Sequence, residues 1–434
     1  MILHGSGDVS SDDWEPAETE IRNRIRERGR ISFAEFMDLA LYHLEGGYYS
    51  VGQPVGAAGD FYTSPAAHPA FGALLAVQME RCWELMSRPS PFYVVEMGSG
   101  DGLLARALLD YATRPSSDFA FALDYIALDR RHSAVADSAN TPPPQRVLAD
   151  GAPLAGVHGC FISNELIDAF PVHRFRIVDG VVRELYVVVA ASGELMEEAG
   201  EPSTPRLAER LAKLGHALPD GYTGEVNLTM SDWARDVSAA LDRGFVVTID
   251  YGYSTRELYA PTRTQGTLQT YFRHTESGSP FTRIGRQDIT AHVDFTALAR
   301  DGAAVGLRPL GVASQAEYLH GLGAGRMIDE LRRIPMPAYD RDANLMAMRG
   351  LVDPTRLGGF KVLVQSKGVE VSDVAELMPS PTRLDGMEPP MLDSVHTPLY
   401  EGKYPQREFK LESLWPFGDP DDEEGSERAP QGRG

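Results

Sequence analysis

Three glycines at alternate positions follow a short apolar run in the segment VVEMGSGDGLLARALL, residues 94–109. After Gly98, Gly100 and Gly102, apolar residues recur at helical spacing. This pattern predicts a strand, a tight turn and a helix, an arrangement that commonly binds a nucleotide-like ligand at the helix N-terminus. A phosphate-binding P-loop is excluded, because it closes on Lys followed by Ser or Thr and the first lysine of the chain is Lys213.

The residues around this turn favour a cationic ligand over a dinucleotide. The dinucleotide fingerprint needs a third glycine at position 103, where this chain has Leu103. Glu96, two residues before Gly98, would lie close to the doubly anionic pyrophosphate of a dinucleotide. S-adenosylmethionine has no phosphate and carries a sulfonium and an ammonium group. We therefore predict that Glu96 and the three glycines bind S-adenosylmethionine.

Polar residues end the next predicted strands. Asp129 ends LDYIALD, where a carboxylate can accept hydrogen bonds from ribose hydroxyls, and Asp150 ends RVLAD, within reach of an adenine amino group. Each residue alone is equally consistent with a helix cap or a turn. Asn164 ends GCFISN at the same edge of the sheet, and we assign it to the cofactor site as well.

The order of apolar runs predicts the α/β class. Strands separated by helices indicate a mostly parallel sheet with helices on both faces. The predicted strands are residues 92–97, 123–129, 146–150, 159–164, 244–252, 307–315 and 360–366.

The composition argues against several kinds of partner. There are 41 Lys and Arg residues and 62 Asp and Glu residues, so the formal net charge is −21 and nucleic acid is a poor partner. No apolar run reaches the roughly 18 residues of a membrane-spanning helix, which predicts no membrane partner. The N-terminus is acidic and has no pattern of a signal or transit peptide, and we therefore expect a cytoplasmic protein. The oligomeric state is left open.

Metal binding is not indicated. Cys82 and Cys160 are too few for a cysteine-based metal site. Asp288, His292 and Asp294 form a D-x-x-x-H-x-D run that matches no strong ligand pattern. A cationic cofactor also needs no metal, so we predict none.

A series of motifs resembles the MidA-like class I methyltransferases, in the order that this family has them. The resemblance implies a seven-stranded Rossmann-like sheet with an antiparallel last strand, which would make residues 360–366 the edge strand. It also implies S-adenosylmethionine as cofactor, a loop around Thr63 that closes over it, and a protein partner that presents an arginine for methylation. The matching segments are GGYY (46–49), GDFYTSP (59–65), EMGSGDG (96–102), SNELIDAFPVHRF (163–175), IDYGY (249–253) and RIGRQDITAHVDF (283–295).

The composition of the two ends and the family resemblance together predict a division of the chain. Residues 1–17 are predicted to be disordered, and residues 18–91 form an N-terminal helical cap. Residues 92–368 form the methyltransferase domain, with an insertion at about 173–243 that contains a β-hairpin. Residues 369–434 form a Pro-rich, acidic tail that is predicted to be largely extended or disordered.

Glu165 and Asp168 are the predicted catalytic residues. They follow the strand that ends at Asn164 and can share one face of a helical turn. A pair of carboxylates could grip a guanidinium and fix its plane for in-line attack on the methyl carbon. The alternative is that Asn164 caps a helix and the two acids complement its N-terminus.

Three functions stay open on these observations. The first is methylation of a protein side chain, most readily arginine. The second is methylation of a small molecule at oxygen or nitrogen, since Ser99, Asp101 and Ala66 depart from the Pro, Arg and Glu that are common in the family. The third is a non-catalytic assembly or scaffold protein that retains the cofactor pocket.

Overall fold

The computed structural model describes residues 15–51, 63–131, 143–272, 275–276, 278–380, 383–385, 387–393 and 395–396. The strands, in chain order, are β1 (Ile31–Ser32), β2 (Phe92–Met97), β3 (Leu123–Asp129), β4 (Gln145–Leu148), β5 (Val157–Asn164), β6 (His173–Val178), β7 (Val181–Val189), β8 (Leu195–Gly200), β9 (Thr223–Val226), β10 (Leu241–Asp250), β11 (Gly252–Tyr253), β12 (Gln269–Phe272), β13 (Thr275–Glu276), β14 (Asp288–Thr290), β15 (Val293–Asp294), β16 (Arg308–Ser314) and β17 (Lys361–Lys367). The α-helices are α1 (Pro16–Arg28), α2 (Phe33–Tyr42), α3 (Tyr48–Val51), α4 (Ser64–Ala67), α5 (Ala70–Leu85), α6 (Leu103–Ala112), α7 (Ser117–Ala122), α8 (Pro205–Leu211), α9 (Thr229–Ala240), α10 (Thr255–Leu258), α11 (Phe295–Ala304), α12 (Gln315–Gly321), α13 (Ala324–Leu331) and α14 (Ala338–Val352).

A seven-stranded sheet forms the centre of the fold, in the order β16-β17-β10-β5-β2-β3-β4. The five strands from β10 to β4 are parallel, and β17 is antiparallel to both of its neighbours. This arrangement confirms the predicted α/β class with a mostly parallel, Rossmann-like sheet. The predicted place of the antiparallel strand is wrong, because residues 360–366 do not lie at the edge: β16 pairs with the outer side of β17.

Alternation along β2 explains why both faces of the sheet are covered. Val94 packs into one core with α5 and α6, whereas Val95 packs into a second core with α9 and α11. Side chains in a strand point alternately to opposite faces. An apolar run without interruption is therefore the pattern of a strand that is buried on both sides.

The predicted insertion forms a second sheet. Strands β6 and β7 make the predicted hairpin, which turns at Asp179 and Gly180, both with positive φ. This sheet runs in the order β1-β7-β6-β9, with β8 paired to β7. The insertion ends earlier than the predicted residue 243, because α9 packs on the central sheet as the helix that precedes β10.

The N-terminal cap is also smaller than its predicted range. Helices α1 and α2 form a separate core with parts of the insertion. Helix α5 belongs instead to the core of the central sheet. The predicted disorder of residues 1–17 is wrong at its end, because α1 begins at Pro16 and Ala17 is buried. Residues 1–14, together with 59–62 of the GDFYTSP segment, lie outside the described residues.

The described part of the tail has little regular structure but is packed against the central domain. A short 3₁₀ helix at Val374–Leu377 is its one regular element among the described residues. Val371 and Leu377 are buried in the same core as α5. Arg383 donates to the carboxylate of Glu80 on α5. Residues 397–434, the rest of the predicted disordered tail, lie outside the described residues.

Candidate functional site

A cavity of about 500 Å³ opens at the carboxyl ends of β2, β3 and β5. The chain leaves β2 toward β3 on one side and returns to β5 on the other, so this is the switch point of the sheet, where open α/β folds bind ligands. Eight of the ten predicted site residues line the cavity: Thr63, Glu96, Gly98, Gly100, Asp129, Asp150, Asn164 and Glu165. The two that do not line it are Gly102 and Asp168.

The glycine turn is shaped by positive φ angles, which are 72° at Gly98, 49° at Gly100 and 74° at Gly102. A Cβ on Gly98 would lie 2.8 Å from a methyl carbon of Leu166, so only glycine fits there without displacement. Gly102 is the residue before α6 and its role is to start that helix. The turn therefore places backbone N–H groups and the positive end of α6 at the cavity.

Glu96 is a buried carboxyl on the floor of the cavity, with 4% of its surface exposed. The Tyr125 hydroxyl donates to its Oε2 at 2.8 Å. Burial raises its pKa to about 8, and the charge of Asp129 raises it further, while Tyr125 opposes both effects. A cation bound at this point would stabilise the ionised form, which agrees with the argument against a pyrophosphate.

Asp129 shapes the glycine turn as well as the cavity wall. Its Oδ2 accepts from the backbone N–H of Gly100 at 2.8 Å, and its Oδ1 accepts from that of Arg131 at 3.1 Å. Each carboxylate oxygen has two lone pairs, so both oxygens can still accept from a ligand hydroxyl. The geometry thus fits a diol such as that of ribose.

Asp150 has partners that the sequence pattern did not indicate. Its side chain is 85% exposed, and its Oδ1 lies 3.1 Å from Arg130 Nε. The Arg130 guanidinium stacks over the ring of Tyr42, 4.3 Å from its centroid, and lies 3.8 Å from Asp38. Asp38 and Tyr42 are four residues apart on one face of α2, so helical spacing could have grouped them but could not have placed them at this cavity.

Glu165 has a left-handed backbone, with φ of 50°. Its N–H donates to Ile249 O at 2.9 Å, and its Oε1 accepts from Asn164 Nδ2 at 2.9 Å and from the Ser64 N–H at 3.4 Å. Burial raises its pKa to about 8, with a further contribution from the charge of Asp168. The predicted helical turn after Asn164 is wrong, because the left-handed residue directs the chain into an irregular turn instead.

Asp168 lies behind the cavity wall and is 5% exposed. The Tyr251 hydroxyl donates to its Oδ2, and its Oδ1 has no hydrogen-bond partner among the described residues. Burial raises its pKa to about 6, and the hydrogen bond from Tyr251 opposes that rise. The shared helical face expected for Glu165 and Asp168 is therefore absent, although the two charges still interact.

The IDYGY segment packs behind the cavity and does not line it. Asp250 is fully buried, and its Oδ2 accepts from the N–H groups of Ile167 at 2.9 Å and Asp168 at 3.3 Å. Tyr253 stacks on His292 with centroids 5.2 Å apart. Through Asp250, this segment binds the backbone of the turn after Asn164 on the side away from the cavity.

Aromatic residues that sequence reasoning missed form much of the remaining wall. Tyr42 and Tyr49 stack with ring centroids 5.5 Å apart, and the Tyr42 hydroxyl donates to Ala169 O at 2.9 Å. Trp233 of α9 and Phe170 line the opposite part. Tyr49 is the last residue of the GGYY motif, and the family resemblance of that motif could have indicated that Tyr49 lies at the cavity. Trp233 had no comparable signal.

The described residues contain no group of three His, Cys, Asp or Glu side chains that could bind a metal ion. Asp294 caps α11 and binds Thr255, and Asp288 accepts from Tyr49. In the described part of the chain no helix has the length and apolar character to cross a membrane.

Comparison with known proteins agrees with this geometry. The family model Methyltransf_28, which describes S-adenosyl-L-methionine-dependent methyltransferases, matches residues 74–313, more than half of the chain. Among solved structures, a COG1565 superfamily member from Burkholderia thailandensis bound to S-adenosyl-homocysteine is 28% identical, with a TM-score of 0.74, over 83% of this chain and 94% of that chain. A native structure of a COG1565 superfamily protein from the same organism has a TM-score of 0.70 at 27% identity, over 83% and 94% of the two chains.

Curated relatives carry a more specific name. Protein arginine methyltransferase NDUFAF7 homolog, mitochondrial, of Drosophila melanogaster is 26% identical over 81% of this chain and 84% of that protein. Protein arginine methyltransferase NDUFAF7, mitochondrial, of Homo sapiens is 24% identical over 81% and 85%. The predicted cytoplasmic location is wrong, because these relatives are mitochondrial proteins.

The cavity fits the cofactor of this family on the chain's own features. Its volume is sufficient for a nucleoside-sized ligand. It combines a buried carboxyl at Glu96, a free acceptor site on each oxygen of Asp129 and the N-terminal end of α6. The chain belongs to the Methyltransf_28 family of S-adenosyl-L-methionine-dependent methyltransferases.

Proposed function

We propose that the chain methylates arginine side chains of a protein. The observation that carries this proposal is a set of carboxyls in and behind the cavity wall: Glu165, which lines the cavity and is partly exposed, and Asp168 and Asp250, which are buried behind it. No salt bridge joins any of the three to a cation among the described residues. Burying carboxylates without a cation is costly, and a guanidinium is the side chain that pairs with them by parallel hydrogen bonds.

The cofactor is proposed to lie along the cavity from Asp150 to Glu165. Asp150 would contact the adenine, Asp129 the ribose hydroxyls, and Glu96 with the glycine turn the cationic amino-acid part. Thr63 and Asn164 would then flank the sulfonium. With the cofactor in this orientation, Glu165 would lie next to the methyl group that is transferred.

The reaction is an in-line displacement. A guanidinium nitrogen forms a bond to the methyl carbon as the bond from that carbon to sulfur breaks, and S-adenosylhomocysteine leaves with the electron pair. The attacking nitrogen releases one proton to water, so the methylated guanidinium keeps a single positive charge. Glu165 would grip the other nitrogens and orient the attacking one, roughly 3 Å from the methyl carbon. Asp168 would contribute charge from behind Glu165.

The curated relatives support the same acceptor. Both the Drosophila and the human relatives are named protein arginine methyltransferases and align with about four fifths of this chain.

Transfer of an isotope-labelled methyl group tests the proposal. We expect the purified chain to label proteins when it is given labelled S-adenosylmethionine and a cell lysate from which endogenous S-adenosylmethionine has been removed. Acid hydrolysis of the labelled proteins should yield methylarginine. Glu165→Gln should lower this labelling at least about a hundredfold, equivalent to roughly 3 kcal/mol of transition-state stabilisation. Binding of S-adenosylhomocysteine by calorimetry should change little.

The matched control is Glu330→Gln on α13. Glu330 forms a surface ion pair with Arg333 at 3.0 Å and lies outside the cavity, so its loss should leave labelling unchanged. Label that appears only in small metabolites would replace the proposal with a small-molecule methyltransferase. Cofactor binding without any transfer would favour a scaffold role.

A further inference from the structure

A turn of the chain from Glu165 to Ala169 is fixed from several sides by backbone and side-chain hydrogen bonds. Asn227 Nδ2 donates to Ile167 O at 3.1 Å, and the Ala291 N–H donates to Asp168 O at 3.0 Å. Together with the two N–H groups that Asp250 accepts, these bonds occupy the backbone of the turn. The Ala169 N–H lies close enough to the Asp168 carboxylate to stabilise its charge, so the backbone fixes one side of this group and a side chain is needed on the other.

The Tyr251 hydroxyl is the group that orients this carboxylate. It is the one side-chain donor to Asp168 among the described residues. The ring of Tyr251 packs between His292, at 5.1 Å, and Phe360, at 5.5 Å, so the hydroxyl position is set by neighbours outside the cavity. The phenol touches Asp168 but does not line the cavity.

We propose that Tyr251 is a positioning residue of the methyl-transfer site, whose hydroxyl holds the Asp168 carboxylate as a charged partner behind Glu165. The inference rests on the proposed role of Glu165 in gripping the acceptor. Tyr251 acts on the reaction through Asp168 alone, and it contacts neither cofactor nor acceptor.

The charged groups around Glu165 and Asp168 determine in which direction Tyr251 shifts the pKa of Glu165. Asp168 raises the pKa of Glu165, and Tyr251 lowers that of Asp168 by donating to its ionised form. His292 has its pKa lowered to about 4 by burial and is neutral at pH 7. The other titratable groups that face the pair are Asp250 of β10, Tyr42 of α2, Tyr49 of α3 and, through Tyr49, Asp288 of β14.

Removing the hydroxyl should therefore shift the titration of Glu165 to lower pH. Without its donor, Asp168 is protonated over a wider range, and a neutral Asp168 no longer disfavours ionisation of Glu165. The acid limb of kcat/KM for an arginine peptide, which needs ionised Glu165, should move in the same direction. A purely structural role of Tyr251 would lower activity at every pH without moving the limb.

The variant Tyr251→Phe tests this, because it keeps the ring and removes one oxygen. We expect the ¹³C carboxyl signal of Glu165, assigned by its loss in Glu165→Gln, to titrate about half a pH unit lower, with the same shift in kcat/KM. Asp168→Asn should shift it at least as far, and the double variant no further than Asp168→Asn. Tyr253→Phe, two residues away and outside the cavity, is the control and should not shift either curve.

Unchanged titration of Glu165 in Tyr251→Phe would overturn the proposal, as would additive shifts in the double variant. The carboxyl titration needs no acceptor. If the wild-type chain methylates no arginine, the proposed function fails while the titration still decides the role of Tyr251.

Discussion

Glu165 makes the stability of this protein depend on pH. Burial raises its pKa from 4.5 to about 8 in the folded chain. Between these values the folded state keeps a proton that the unfolded state releases, so the free energy of unfolding falls as the pH rises. Glu165→Gln is neutral at every pH, and we expect it to be more stable than wild type by about 2 kcal/mol or more at pH 9.

At pH 5 the two proteins should differ by less than about 1 kcal/mol, because this pH is only about half a unit above the unfolded pKa of 4.5 and the wild-type carboxyl is still protonated in the folded state. Urea unfolding at pH 5, 7 and 9 measures the difference. Glu330→Gln, with its exposed carboxylate, should show no such trend. A gain from Glu165→Gln that is equal at pH 5 and pH 9 would mean that this carboxyl ionises normally.

Glu96 should couple cofactor binding to proton release. With a pKa of about 8 it is mostly protonated at pH 7, and a cationic ligand favours its ionised form. Binding of S-adenosylhomocysteine, which keeps the ammonium group, should release up to about one proton at pH 7. Calorimetry in two buffers of different ionisation enthalpy measures that number.

Glu96→Gln should remove the proton release and weaken binding about tenfold, or roughly 1.4 kcal/mol. Proton release that survives this substitution would assign the titrating group elsewhere. The surface variant Glu330→Gln again serves as the reference, since it changes a carboxyl without changing the cavity.

At the scale of elements, the crossing of α5 and α6 depends on a glycine. A Cβ on Gly72 would lie 2.6 Å from the Ala107 Cβ and 2.9 Å from the Leu108 nitrogen. Gly72→Ala must push the helices apart, at a cost of about 1–3 kcal/mol. Gly325 in α13 is the matched control, since a Cβ there would meet nothing closer than 3.5 Å.

Gly325→Ala should raise the free energy of unfolding by about 0.5–1 kcal/mol, because alanine loses less backbone entropy on folding. Thermal and urea unfolding of both variants give the comparison. Equal effects of the two substitutions would show that the helix crossing tolerates a methyl group at Gly72.

Local sequence patterns were sufficient to predict the strands that form the cofactor side of the cavity. Residues 92–97 and 123–129 are strands over the predicted ranges, because each is a buried apolar run that stops at a turn or a polar residue. The left-handed backbone of Glu165 could not be predicted, since it depends on Ile249 accepting its N–H from another strand. For the same reason Asp38 and Tyr42 were missed: their place at the cavity is set by how the cap packs.

At the scale of the whole molecule, an ion pair joins the tail to the core, because Arg383 of the tail pairs with the buried carboxylate of Glu80 on α5. The Glu80 side chain is 4% exposed, and Arg383 Nε donates to it at 2.8 Å. Arg383→Met should cost about 1–3 kcal/mol, below the value for a fully buried pair because Arg383 is 38% exposed. Equilibrium unfolding in urea measures this loss.

Addition of Glu80→Gln to Arg383→Met should recover most of the stability, because it removes the unpaired carboxylate. Failure of the double variant to recover would mean that Arg383 acts through packing of its apolar stem. The composition of this tail predicted a chain that buries little, and the sequence could not show that ion pairs such as Arg383–Glu80 and Arg106–Asp393, with a few apolar residues, anchor it.

The position of β17 between β10 and β16 has a consequence for the order of folding during synthesis. The parallel strands β2, β3, β4, β5 and β10 are all complete when residue 250 has emerged, yet one side of β10 then has no neighbour. β16 is the next strand of this sheet to be made, and it too has no strand partner in the sheet until residues 361–367 follow. Translation therefore leaves a gap one strand wide, and β17 must enter it between two strands already made.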